Sequence, residues 1–275
     1  MTNKTKSEKR AASILQKKRE QLIGKVFETN RCGLCTVVGY DGHDKVTVRF
    51  HEPEHFVTCR MGDINRKEVS NPMYPSFFGK GFMGVGKYSH RDRDLYATWT
   101  RLLQRVFYGE TSVKYKAYKD VTVCDEWLNF QNFAEWCEKE DGYLRKDKHG
   151  RTYHLDKDLI SKGSKIYSPD TCCFVPLEIN NLFICSDRKS KYATGVHYSK
   201  DKCKFVAYCK KDGKRVHLGY FDTVEQAYKA YSGFKEDYIK TMAEKWKDSI
   251  SKKAYEALLS WEAVDIESEV IKNDE

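Results

Sequence analysis

No stretch of eighteen apolar residues occurs anywhere in the 275-residue chain, so it offers no candidate membrane-spanning helix. The N-terminus lacks the apolar core of a secretory signal peptide, and the two absences together point to a cytoplasmic protein with no membrane partner. Ten cysteines are present, but Cys32 and Cys35 form a CxxC with no second CxxC or CxxH to complete it. No zinc is therefore expected. The thiols read as reduced, with Cys35 a buried residue of a strand Cys35-Thr36-Val37-Val38. Gly79 to Gly84 spells GxGxxG, yet Pro72 and Pro75 stand where an apolar strand should precede it. Gly86-Lys87-Tyr88-Ser89 follows instead of a helix entry, which excludes a dinucleotide site and leaves a flexible connector.

What is present is positive charge: 49 lysines and arginines against 40 acids, a formal +9 that suits a polyanionic partner. The length allows two or three small domains, and the patterns read as an α+β chain. Residues 1–24 are a basic, partly helical arm that either tracks phosphates or is simply solvated. Residues 25–70 hold strands at Cys35–Val38, Val46–Phe50 and Phe56–Cys59, expected to form a small barrel of about five strands. After the connector at 71–93, a helix is expected over Asp94–Tyr108. A second is expected from Asp125, with Trp127, Phe130, Phe133 and Trp136 as its core stripe.

The segment 195–231 carries the clearest pattern. Lys204, Val206, Tyr208 and Lys210 alternate with Phe205, Ala207 and Cys209, the period of a strand with one wet and one buried face. Asp212-Gly213 is a hairpin turn, and Lys214–Tyr220 resumes the strand. Thr223-Val224-Glu225-Gln226 has the form of a capping box opening a helix with Ala227, Tyr228, Ala230, Tyr231 and Phe234 on one side. That helix would cover one face and leave Lys204, Tyr208, Lys210, Arg215 and His217 as a cationic, aromatic surface of major-groove size.

This segment resembles the Apetala2-type (ethylene-response-factor-like) DNA-binding domain. The resemblance rests on Gly195-Val196, Lys204–Ala207, Lys214–Gly219, Phe221-Asp222-Thr223 and Glu225-Gln226-Ala227. It implies a three-stranded sheet in the major groove, braced by a helix, over residues 190–247. The family's contact positions fall on His197, Ser199, Tyr208, Lys210, Arg215 and His217, with Lys200 and Lys204 beside them. His197, Ser199 and His217 stand where plant members carry arginines and tryptophans, so the plant recognition sequence does not carry over. Residues 248–275 read as a continuation of the helix past Trp246 towards Trp261, then an acidic tail.

Between these lies Tyr143–Phe183: a strand pair around Lys148-His149-Gly150, a loop, and a short helix starting at Pro176. His154, Asp156 and Asp158 alternate along one expected strand, a spacing that offers oxygen ligands to a hard cation, with Asn180 one turn into the following helix. Without further support, the same residues read as an exposed charged strand.

The span from Trp99 to Phe183 is similar to the HNH (ββα-metal) endonucleases of homing and phage type. The matching pieces are Val123-Cys124-Asp125-Glu126-Trp127 with Phe130, Leu155-Asp156-Lys157, Tyr167-Ser168-Pro169-Asp170, and Glu178-Ile179-Asn180. The resemblance implies a nuclease region over 94–185 that hydrolyses phosphodiesters of double-stranded DNA with one Mg²⁺ or Mn²⁺. Asp156 and Asn180 would be the metal positions, with Asp158 as a further oxygen. The general-base position, usually histidine, falls on Lys157, so the base is Lys157, is His154 from an offset, or is absent. The position of the orienting asparagine falls near Asp170-Thr171, and Arg151 or Lys165 would offset charge on the phosphate. Such an enzyme, as a monomer or weak dimer, would nick one strand at a time in the cytoplasm of a bacterial host. The competing reading is a DNA-binding regulator built on a decayed site.

Overall fold

The computed structural model describes residues 5–108, 120–183 and 192–266. The chain is α+β and divides into two compact units, Met1–Cys137 and Glu138–Glu275.

In the N-terminal unit, helix α1 (Lys6–Leu22) starts at a capping box in which Thr5 Oγ1 accepts from Glu8 N and the Glu8 carboxylate accepts from Thr5 N. The basic arm is thus a docked helix. Leu15 and Leu22 pack on the neighbouring sheet, and Arg19 Nε donates to Tyr40 O at 2.8 Å. Strands β1 (Val26–Glu28), β2 (Leu34–Tyr40), β3 (Val46–Phe50) and β4 (His55–Cys59) follow as an antiparallel meander in that order.

Val37, Val46, Val48 and Phe50 lose all contact with water, each side chain contributing about 1.5–3 kcal/mol of burial. Cys35 is fully buried in β2, as its alternation requires. The expected five-stranded barrel is corrected: there are four strands, and the sheet stays open. The physical reason is the cover. Leu15 and Leu22 of α1, with Met61 and Ile64 of the short helix α2 (Met61–Asn65), fill the buried side that a barrel would fill with its own strands.

The connector is not loose. Phe77 bridges Gly81, and Phe82 bridges Asn129 in parallel. A Cβ on Gly81 would strike Leu103 and Trp99, and one on Gly84 would strike the Asn129 amide. Gln131 fixes the strap, donating to Met83 O and Tyr88 O and accepting from Tyr88 N. Two of the GxGxxG glycines therefore serve close packing, Gly81 against α3 (Arg93–Tyr108) and Gly84 against Asn129, while Gly79 supplies a positive φ of +69°. After β5 (Thr122–Val123), the expected helix from Asp125 is two pieces, a 3₁₀ turn Asp125–Leu128 and α4 (Phe130–Lys139). Asn129 separates them because its backbone is extended to meet Phe82, while its side chain accepts from Gln131 N at 3.0 Å.

In the C-terminal unit, β6 (His154–Asp156) and β7 (Ile166–Tyr167) precede β8 (Cys173–Val175), which pairs antiparallel with β6. Helix α5 (Leu177–Asn180) follows directly from Pro176 and lies against β6. The strand pair expected around Lys148–Gly150 is corrected to a single bridge, Lys146 to Thr152, around a turn closed by Asp147. Strands β9 (Val196–Ser199), β10 (Lys204–Lys211) and β11 (Lys214–Phe221) form an antiparallel sheet with β10 in the centre.

Helix α6 (Val224–Trp246) covers one face of that sheet, where Ala227 and Tyr228 meet Val196 and Ala207. Its start differs from a full capping box: Thr223 Oγ1 accepts from Gln226 N, but Gln226 Oε1 accepts from Asp222 N rather than Thr223 N. The expected run-on to Trp261 is also corrected. The helix ends at Trp246, a 3₁₀ turn covers Lys247–Ser249, and α7 (Lys252–Leu259) restarts on a Ser251 cap.

Candidate functional site

The outer face of the β9–β11 sheet is built by cross-strand pairing. His197, Val206 and Tyr220 lie opposite one another across the three strands, and Tyr208 lies opposite His217. Val206 is only 4% exposed although it faces away from the helix, so the flanking rings roof it and form an apolar floor. The rings run in a row. His197 lies 6.1 Å from Tyr208, Tyr208 is 5.3 Å from His217, and His217 is 4.9 Å from Tyr220.

The Arg215 guanidinium sits 3.5 Å above the Tyr208 ring, which holds a cation in place before any partner arrives. Lys200, Lys204 and Lys210 stand exposed around the row, with the half-buried Ser199 beside them. Lys204 pairs with Asp222 at 3.0 Å, a solvent-exposed contact of little net strength that a phosphate can replace. Burial, and then the nearby Arg215, holds the His197 imidazole below its ordinary pKa, so it is neutral near pH 7.

All eight residues read from the sequence for this face lie on it or on its β9–β10 turn. Tyr220 was missed. A bulge makes Leu218 an extra residue, and Gly219 takes φ +135°, so the side-chain parity flips between His217 and Tyr220. Strict alternation from Arg215 would have sent Tyr220 to the helix side; the glycine was the available signal. In the β9–β10 turn, Cys203 adopts φ +49°, and it is the one exposed cysteine among those described.

The second cluster is the β6–β8–α5 element. Asp156 ends β6 and is buried. Its Oδ1 accepts the backbone N–H of Asp158 at 3.0 Å and of Leu159 at 2.8 Å. No hydrogen bond reaches its Oδ2, nor the side-chain amide of Asn180, among the described residues. Burial pushes the Asp156 carboxyl above its ordinary pKa, against the two N–H groups that favour the anion. No buried side-chain oxygen or nitrogen among the described residues lacks a partner, so Oδ2 is open to water and could also accept a cation. The donor set fits a magnesium-type ion, which takes one or two protein oxygens and completes its shell with water and phosphate. Among the described residues no group of three His, Cys, Asp or Glu side chains is assembled, so a cage of protein ligands is not the arrangement.

The other expected members are placed differently. Strand β6 stops at Asp156, so Asp158 does not share a strand face with it; its carboxylate takes the Lys157 ammonium instead. Lys157 Nζ is buried and also donates to Ser164 O at 2.9 Å. His154 and Asp156 are alternate residues of β6, the first exposed and the second buried, whereas Asp158 lies beyond the strand, so the three do not line one strand face. Arg151 is held by Asp147 at 2.7 Å, and Thr171 closes a local turn by donating to Ile166 O. Comparison of the chain with protein-family models, curated proteins and solved structures found no match in any of the three.

Proposed function

We propose that this protein binds double-stranded DNA with the outer face of the β9–β11 sheet and hydrolyses a phosphodiester at the β6–β8–α5 element. The observation that carries the reading is Arg215 stacked on Tyr208 within a row of four rings flanked by lysines. Lysines supply sequence-independent attraction to phosphates, whereas a fixed guanidinium and ring edges give directional contacts to bases. The resemblance to Apetala2-type domains supports the same assignment.

The cleavage half rests on Asp156 Oδ2 and the Asn180 amide, two uncommitted oxygen-bearing groups on packed elements, and on the resemblance to HNH endonucleases. A bound divalent ion would supply electrophilic stabilisation of the phosphate. Asp156 and Asn180 would hold and orient that ion, and His154, exposed on β6 two residues before Asp156, would accept a proton from water. A second reading, a DNA-binding regulator without cleavage, is favoured by one observation: the Lys157 ammonium is already committed to Asp158 and Ser164 O. A lysine so occupied is not a free base.

The deciding experiment uses supercoiled plasmid with Mg²⁺ or Mn²⁺. Nicking lost in both Asp156→Ala and Asn180→Ala, with DNA binding retained, supports the endonuclease; binding without nicking in wild type supports the regulator. Loss of duplex affinity by about 1–3 kcal/mol in Arg215→Ala is expected on either reading, and an unchanged affinity would remove the sheet from the proposal.

A further inference from the structure

A cleft of about 370 Å³ in the C-terminal unit lies between the Asp147–Gly150 turn and the end of α6, adjoining the β6–β8–α5 element but lined by none of Asp156, Asn180 or His154. Half-buried Trp246 forms one wall, and Tyr153 stands against it edge to face at 6.4 Å. Both polar ends of these rings are taken, since Trp246 Nε1 donates to Glu178 and Tyr153 OH donates to Ser249 O. Tyr153 is buried, so what the pair offers a ligand is the accessible part of the Trp246 ring, backed by Tyr153. Lys146 and Lys148 line the same cleft, exposed, and make no ion pair or side-chain hydrogen bond among the described residues.

The nearest acid, Asp147, is consumed by the turn. Its Oδ1 accepts His149 N and Arg151 N, and Arg151 pairs with its other oxygen. Asp248 is the remaining carboxylate lining the cleft; Lys245 is paired with Glu178 and Arg145 donates to Ser249 O, which leaves Lys146 and Lys148 as the uncommitted cations. A cavity of this size takes one nucleotide-sized group, and a ring wall beside unpaired cations is the chemistry of unpaired nucleic acid: a base on the aromatic, phosphates on the lysines.

We infer that this cleft is a binding site for single-stranded DNA, separate from the sheet that engages the duplex. It goes beyond the proposed function and stands on its own residues. The test titrates the full chain with a fluorescent oligothymidylate of about twelve nucleotides, an abasic strand of equal length, and a duplex. Wild type is expected to bind the oligothymidylate about 10-fold or more tightly than the abasic strand. Lys146→Ala/Lys148→Ala is expected to lose about 10-fold or more of that affinity while keeping its duplex affinity. Arg215→Ala is expected to do the reverse.

Equal binding of the abasic strand would overturn the inference, as would an unaffected oligothymidylate affinity in the double variant. A loss of single-strand affinity in Arg215→Ala as large as in the double variant would also overturn it. Failure of wild type to bind duplex would sink the sheet's role instead, leaving the single-strand arm to judge the cleft.

Discussion

Asp156 is a carboxylate held where water scarcely reaches it, and burial penalises its charged form. Its folded pKa lies above the unfolded value near 4, so the folded state holds a proton that the unfolded chain has released in the window between them. Stability contributed by this group is full below the unfolded pKa and is lost as pH rises through the folded one. Asp156→Asn keeps the acceptor that caps the Asp158–Leu159 turn and removes the charge. It is expected to unfold about 0.5–2 kcal/mol harder than wild type at pH 7 and to match it near pH 3, read by thermal melts at the two pH values. If Asp156 holds an ion, added Mg²⁺ will raise the melting temperature of wild type and leave Asp156→Asn unmoved. The sequence marked Asp156 and Asn180 because both occur within short motifs of fixed residue types. It misled at Asp158 because strand alternation was extended two residues past the point where Asp156 itself turns the backbone.

At the scale of elements, the legible parts were those with a strong period or a named turn. Strands β2, β3 and β4 of the open sheet, α3 and the β10–Asp212-Gly213–β11 hairpin fall where alternation or the helical repeat placed them. That the first sheet stays open under a helical cover was not legible, because the apolar residues that cover it sit in the basic α1 and the five-residue α2. The break at Asn129 and the packing of the glycine-rich strap depend on each other, so neither shows in local sequence. Gly195 is the corresponding point in the C-terminal unit: it has φ +79°, and a Cβ there would run into the Tyr231 ring of α6. Gly195→Ala combines an unfavourable dihedral with overpacking and is expected to destabilise by about 1–3 kcal/mol. Because the ring lies between helix and sheet, duplex affinity should fall with it; denaturant titration and anisotropy on one preparation would compare the two.

For the molecule as a whole, the +9 charge sets how binding responds to salt. The four cations grouped on the proposed DNA face, Lys200, Lys204, Lys210 and Arg215, imply a log–log salt slope of about −3.6, an affinity loss of about 10²-fold between 50 and 200 mM salt. A slope measured near zero would rule out phosphate contact by that face; a much steeper one would call for cations elsewhere, α1 among them. The region 94–185 that the sequence reads as one nuclease module straddles the division at Cys137 and Glu138, which no composition shift announces. The cysteines carry a practical consequence. Burial pushes the thiols of Cys59 and Cys124 up to about 11 and that of Cys173 higher still, so they are poorly nucleophilic at neutral pH. Cys203, in the turn beside the ring row, is open to solvent. A maleimide fluorophore at pH 7 should therefore attach there ahead of the other described cysteines, as peptide mass mapping would show, giving an optical reporter at the rim of the proposed DNA face without engineering the chain.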